Sequence, residues 1–495
     1  MANPVETPIF SKWRQRLFPV HGTEMRKFIP LLLLKLAFSL IYTVLHATKD
    51  TLIVTSKGSG AETIPILKGW LVLVFAFVFM LVYSKLSNHL LKSRLFYITI
   101  SFFLLFFSLY GFVLYPNREE LTPHGFADLL AQIVGEERSH WVAVVRYWMN
   151  SLFFLMAEMW GSVLILLSFW GLANRITHAS EATRFYTLFS AGGHIGVIMA
   201  GPMIWYFAKA FGADHFEYTI QWLMGIVLLF GLASMLLYWW IDRQVVQQEE
   251  SGSRIAQEAR SKTKLSLMES LKHLVKSPGL GSIALMVIGY GLSVNIIEVI
   301  WKATLKLKYP DPQDYEAFMG LLSIGIGTLS LCLALFVGGN VMRKWGWYIA
   351  AQATPVVLGS VSLLFLGVYF LTDFGHSPEV LVGAGALGIL VVMGAIHNVS
   401  CKAMKYCLFD PTKEMAFIPL DEETKVKGKA AVDLVASRFG KSGSSWIQII
   451  CMELAGVGSV LAIVPQLSIF VAIAVVGWII AVFYLRPYAT TLSET

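Results

Sequence analysis

Charge is scarce in this sequence: Asp, Glu, Lys and Arg make up 14% of 495 residues, against 56% hydrophobic. That balance leaves too little polar surface to wrap a soluble globule of this size, so lipid must solvate much of the exterior. Cysteine is scarcer still. Cys332, Cys401, Cys407 and Cys451 stand in or beside apolar segments without CxxC spacing, which excludes a disulfide frame and a zinc ribbon and leaves them as packing residues. No HExxH, GxSxG or paired-Asp motif occurs, so the usual marks of a membrane-embedded enzyme are missing. The first 28 residues carry Lys12, Arg14, Arg16, Arg26 and Lys27 but no apolar core, so no cleavable signal peptide is expected. The net charge of +7 is spread over short loops instead of one basic domain, which argues against a nucleic-acid partner.

What the chain has in quantity is apolar runs of the roughly 20 residues that cross about 30 Å of hydrocarbon. They fall at about 29–48, 64–86, 94–115, 142–172, 184–211, 218–241, 280–301, 316–341, 347–372, 380–409, 428–461 and 463–485. The expected fold is therefore an all-α integral membrane protein of about twelve transmembrane helices in two six-helix halves. Its segments are an N-terminal stretch 1–28, a first bundle 29–241, a linker 242–277, a second bundle 278–487 and a tail 488–495. The linker carries Arg243, Arg254, Arg260, Lys262, Lys264, Lys272 and Lys276 and a predicted surface helix around LSLMESLKHLV, and lysine and arginine mark it as cytoplasmic. Lys85, Lys92, Arg94, Arg175, Arg184, Arg343, Lys344, Lys413, Lys425, Lys427 and Lys429 fall on the same side, which puts both termini in the cytoplasm. The loop 116–140 is acidic, as an outside loop allows, whereas Lys306 and Lys308 run against the trend.

Two bundles joined by a long linker suggest a carrier whose interface opens to either side in turn. A faint echo between EATRFYTLFSAGGHIG at 181–196 and KGKAAVDLVASRFGKSGSS at 427–445 fits duplication, although membrane helices share such patterns by chance.

Ionisable groups inside the spans are the informative residues, because a charge at mid-bilayer costs about 2.5–3.5 kcal/mol on insertion scales. Lys49, Glu158, Glu298 and Lys441 stand out, two in each half. Lysines on opposing halves suit a polyanionic cargo, and the glutamates suit pairing with those lysines, holding a hydroxyl or binding a proton. The plainer reading is salt bridges that fix helix packing, and Lys49, at the end of the first span, is also placed to snorkel to the interface. GKS at 440–442 is not a phosphate loop, since Val435 stands where that motif needs glycine; Gly440, Ser442, Gly443, Ser444 and Ser445 instead permit close helix approach. GSG at 58–60 reads as a loop. His46, His194 and His397 lie in or near spans, where packing is the commoner role of histidine; His46, three residues before Lys49, shares its helix face.

At these residues the sequence resembles the ATP/ADP translocases of plastids and obligate intracellular bacteria. The segments that carry the likeness are TKDTLIVTSKGSGAETIPILK at 48–68, AEMWGS at 157–162, FWGLANRIT at 169–177, EATRFY at 181–186, NIIEVIWKATLKLKYP at 295–310, FVGGNVMRKWGW at 336–347 and KYCLFDPTKEMAFIPLDEETKVKGKAAVDLVASRFGKSG at 405–443. The resemblance implies a major-facilitator-like fold, nucleotide cargo (ATP, ADP or relatives), no bound cofactor and no covalent chemistry. It implies transport roles for Lys49, Glu158, Glu298 and Lys441, with His46, Asn295, Lys405 and His397 as secondary candidates. The implied setting is a bacterial inner membrane ahead of a plastid envelope. LHATKD at 45–50 replaces the family's LRDTKD, IHNVSCK at 396–402 replaces IQNILSK, and Ser444 follows Gly443 where glycine is usual. An Arg lost and two His gained leave both modes open, with ATP/ADP exchange slightly ahead of proton-coupled import of a broader nucleotide set. A membrane-embedded transferase and a non-transporting receptor are the remaining classes, and neither explains four ionisable groups within spans.

Overall fold

A computed structural model describes residues 18, 20–246, 277–372, 384–418, 432 and 436–490. The surface helix expected around 265–275 and much of the first half of the second repeat-like segment, 427–431 and 433–435, lie outside those residues. Among the described residues the elements are helices, with no strand.

Twelve long helices run in sequence. The first half holds α1 (Met25–Thr55), α2 (Thr63–His89), α3 (Lys92–Leu114), α4 (Trp148–Ile176), α5 (Ala179–Ala210) and α6 (Phe216–Val245). The second holds α7 (Pro278–Lys308), α8 (Pro312–Phe336), α9 (Gly338–Leu371), α10 (Gly385–Ala416), α11 (Ser437–Ala455) and α12 (Val460–Pro487). Eleven are long and apolar enough to cross a membrane. The other, α11, is amphipathic and ends at Ala455, six residues before the end of the 428–461 run predicted for it. Glycine at 456, with a φ of 64° that side chains avoid, ends it, and the chain restarts with a turn at Val460–Ile463. Helix α1 runs through Lys49 to Thr55, past the boundary at 48 expected from the sequence. Gly346, with φ 77°, kinks α9 just before the predicted span start at 347. The loop 116–140 is not structureless: it contains short helices at Arg118–Leu121 and His124–Val134.

Short connections make consecutive helices antiparallel, so α6 finishes and α7 begins at one end, called the linker end below, and the opposite end is the far end. Phe77, Leu105, Leu236, Leu363 and Ile473 point outward and exposed, as lipid-facing side chains do, while Phe38, Phe103, Trp160, Trp301 and Trp478 fill the interior. Glycine sets the closest helix contacts. A Cβ on Gly196 of α5 would stand 2.3 Å from the Leu36 carbonyl of α1, and one on Gly320 of α8 would stand 2.8 Å from the Gly201 carbonyl of α5. Gly440 of α11 meets the Gly291 backbone of α7 in the same way, as its small-residue run suggested. Wide, π-type turns interrupt the helices at Leu67–Leu71, Gly161–Phe169 and Lys405–Phe409, each beside a charged position.

Candidate functional site: a chain of buried charges between the halves

Helix α1 carries its charges at Lys49 and Asp50 because the turns on either side, rich in Leu, Val and Thr, bury that stretch against both halves. Lys49 is 1% exposed, so it does not snorkel: it sits deep inside, with Nζ 3.1 Å from Glu158 Oε1 on α4, 2.9 Å from Asp50 Oδ1 and 4.1 Å from the centre of the Phe154 ring. Asp50 turns its second oxygen to Lys302 Nζ of α7 at 2.8 Å. Lys302 also meets Glu298 Oε1, one turn away on the same helix, at 2.8 Å. The other Glu298 oxygen faces Lys68 Nζ of α2 at 3.7 Å, and Lys68 reaches Asn295 Oδ1 at 3.4 Å.

The result is an alternating chain, Glu158, Lys49, Asp50, Lys302, Glu298, Lys68, which starts in the first half, enters the second and returns. Three carboxylates balance three ammonium groups. Each charge has a partner, which burial in a low-dielectric interior demands. Lys441, Lys402 and Lys35 are further lysines of the spans with no carboxylate within salt-bridge distance among the described residues. Lys441 on α11 is exposed and lies in the field of Glu158, Lys68 and Lys405. Lys402 on α10 lies in the field of Glu298 and Asp50. Lys35 on α1 rests over the Phe169 and Trp170 rings at 5.4 and 5.8 Å. Counting residues from the helix ends puts all three on the linker side of the chain. Chain plus lysines is a basic, anion-seeking path with contributions from both halves.

The structure thus brings Lys49, Glu158, Glu298 and Asn295 into one network and sets Lys441 beside it. Of the other secondary candidates, His46 stacks on Tyr42 with ring centres 4.0 Å apart, Lys405 is paired with Asp410 at 2.9 Å, and His397 is buried and bonded to Ser362 Oγ at 2.9 Å. Asp50, Lys68 and Lys302 were not singled out from the sequence. Each has a sequence signal: Asp50 adjoins Lys49, Lys302 follows Glu298 by four, and Lys68 stands in an apolar run.

Polar bonds between the halves cluster at mid-depth and at the far end. Arg138 Nε meets Glu453 Oε2 at 2.8 Å, Trp141 Nε1 donates to the same carboxylate, and Glu62 accepts from Val460 N at 3.1 Å. Lys306 donates to the Ser59 carbonyl, and Lys209 pairs with Asp314. Among the described residues the linker-end pairs stay within one half, as with Lys27 and Glu181 at 2.6 Å and Arg184 and Glu24 at 2.7 Å. The described bonds between the halves therefore hold the far end together. A cavity of about 950 Å³ lies elsewhere, at the far end of the first half. Its Arg118 and Arg146 are engaged by Glu217 and Asp128, and no charged side chain of the second half lines it, so it does not join the halves as the charge chain does.

A family model described as "TLC ATP/ADP transporter" matches residues 4–488. The chain belongs to that family. Among its relatives, ADP,ATP carrier protein 1 of Chlamydia muridarum is 42% identical over 97% of this chain and 91% of its own length. The chloroplastic ADP,ATP carrier protein 1 of Arabidopsis thaliana is 41% identical over 94% and 74%. ADP,ATP carrier protein 3 of Rickettsia conorii is 34% identical over 95% and 96%. The fold is also that of a bacterial homologue of the iron transporter ferroportin solved in an inward-facing state (TM-score 0.55, 14% identity, 95% of this chain and all of that one). A D-xylose-proton symporter is similar to the same degree (TM-score 0.54, 11% identity, 94% and 98%). These likenesses make the fold major-facilitator-like, and the long apolar helices make this family member a multi-pass membrane protein.

Proposed function

We propose that this chain exchanges ATP for ADP across a membrane by alternating access, with the nucleotide phosphates held between Lys49 and Lys441. The observation that carries the reading is the balanced six-charge chain with unpaired lysines beside it, contributed by both halves. Empty, the carrier satisfies Lys49 with Glu158 and Asp50. A nucleotide phosphate offers the same lysine a stronger, multivalent acceptor, so cargo competes with Glu158 for Lys49 and frees that carboxylate. Lys68 and Lys302, tied to Glu298, make that residue the counterpart in the second half. Cargo held between Lys49 of the first half and Lys441 of the second thereby adds a link across the seam while loosening Lys49 from Glu158, which is the differential contact a ligand needs to shift one conformation toward another.

The linker end faces the cytoplasm in this reading, as the loop charges indicate, with both termini on that side. A bacterial inner membrane is the setting favoured by the relatives from Chlamydia and Rickettsia. The nucleotide is the one partner besides lipid that this reading needs. The test is uptake of labelled ATP into proteoliposomes of the purified chain. Exchange predicts uptake that requires internal ADP. Uptake driven by a pH gradient without internal nucleotide would overturn exchange in favour of proton-coupled import.

A further inference from the structure

Glu316, in the first turns of α8 at the far end, is the most deeply buried acid among the described residues, and the charge chain leaves it out. It is fully buried, at 0% exposure. Its two oxygens meet only hydroxyls of α1: Thr48 Oγ donates to Oε1 at 2.9 Å, and Oε2 lies against Thr51 Oγ. Thr51 has a single hydroxyl proton for two acceptors, Oε2 and the Ala47 carbonyl 3.1 Å away, so both contacts are hydrogen bonds at once only where the carboxyl itself donates to Thr51 Oγ.

The surroundings agree. From α1 the group feels Asp50, which is negative. Lys49 and Lys302 are committed to Asp50, and Lys209 of α5 to Asp314. From α10, Lys402 lies in the field of Glu298, and on its own helix Tyr315 is a neighbour that also bears no positive charge. Among the described residues α6 and α9 bring no cation to it. An ionised carboxylate there would be a buried charge without a counter-ion, which costs several kcal/mol, whereas the acid form completes the run from Glu316 through Thr51 to Ala47.

We propose that Glu316 is a proton site, filled where it seals α8 of the second half against α1 of the first, and emptied to water when that far-end seam opens. The proton comes from far-side water as the seam closes and returns to it as the seam parts, so no other reactant is needed. Closure at this end then binds one proton, and the balance between closed and open shifts with pH by up to about tenfold per unit above the range where the exposed acid titrates. The inference rests on the alternating-access part of the reading above and on no particular cargo.

Two measurements on the full-length purified chain test it, and neither uses a nucleotide. Infrared difference spectra of wild type against Glu316→Gln at neutral pH should contain a carboxylic-acid C=O band, and Glu316→Asp should move that band. Carboxylate bands alone would overturn the proposal. In the second, spin labels at Lys57→Cys and Pro310→Cys, with the native cysteines replaced by serine, report the far-end distance as pH rises from about 6 to about 9. The long-distance population should grow with pH in the parent and stay constant in Glu316→Gln, which mimics the protonated acid; an equal pH response in both would sink the idea. Should Glu316→Gln fail to fold, Thr51→Val carries the second test. It keeps the acid, so the pH response must persist with a displaced midpoint, and a midpoint left where it was would assign the titration to another group. Failure of ATP exchange with the infrared band present counts against the cargo and leaves the proton site standing.

Discussion

Where α5 meets α8, glycine lies on backbone: Gly201, Gly320 and Gly327 let the two helices touch main chain to main chain, with His194 and Ile198 completing the contact. Where α1 meets α7 and α8, charge lies on charge, through Asp50 and Lys302, and hydroxyl on acid, through Thr48, Thr51 and Glu316. Both contacts join the same two halves. At these glycines the contact is backbone on backbone, and Lys209 and Asp314 pair across the same two helices at the far end. In the proposed cycle each bond of the charged contact has an alternative partner in cargo or water, so the glycine seam is the pivot and the charged seam the latch.

The largest effect should follow from breaking the latch on one side. Lys302→Met leaves Asp50 and Glu298 short of a cation, and losses of about 3–5 kcal/mol are typical for an uncompensated buried charge. Thermal unfolding in detergent should register it, and Asp50→Asn in the same chain should restore part of the stability. A double variant no more stable than Lys302→Met would show that the pair is not coupled. Next comes Lys441→Gln, which removes a charge that no carboxylate satisfies. Stability should hold while the half-saturating nucleotide concentration rises tenfold or more, the equivalent of about 1.5–3 kcal/mol in charge-assisted bonds. Lys49→Gln should raise it as well but also destabilise, because Glu158 loses its partner. Equal affinity in wild type and both variants would remove the lysines from the cargo site.

Gly320→Val sharpens the comparison from the other seam. The added carbons meet the Gly201 carbonyl and the Trp205 backbone nitrogen, both 2.8 Å from the new Cβ, and overpacking of this kind costs about 1–3 kcal/mol. Turnover should fall with nucleotide binding retained, the reverse of Lys441→Gln. The smallest effect belongs to Arg138→Gln. That pair is 53% and 32% exposed, so its loss should cost about 0.2–1 kcal/mol and fade with added salt. A salt-independent loss would mark the far-end lock as buried in the working carrier.

Much of this architecture is legible in the residues. Apolar run length located the spans because lipid imposes it, and Gly456 and Gly346 mark the breaks by chemistry that sequence displays. Helix α11 was drawn past its end because it is amphipathic, so hydropathy alone does not set where it stops. Lys49, Glu158 and Glu298 stood out as charges in apolar surroundings, but whom each one meets was not legible. The pairing of Asp50 with Lys302 spans 252 positions, and no periodicity encodes a contact between separate bundles. Glu316 was hidden for a simpler reason: it was taken as the first residue of a span, where a carboxylate needs no explanation, and only its burial against α1 makes it unusual.

The wide turn at Gly161–Phe169 bears on how this path is timed around its own axis. Such a turn takes in one residue more than an α-turn, so the helix beyond it is rotated by about 100° from the phase that an unbroken α-helix would give. Tyr42 of α1 packs against its first residue, where a Cβ on Gly161 would stand 2.8 Å from the ring. Glu158 lies before the turn and faces Lys49; Trp170 lies after it and carries its ring beneath Lys35. A helical wheel drawn from Glu158 therefore misplaces Trp170. Removing one residue between them would leave the carboxylate on its lysine while swinging the indole off the other lysine, uncoupling the two stations of the path without touching a charge.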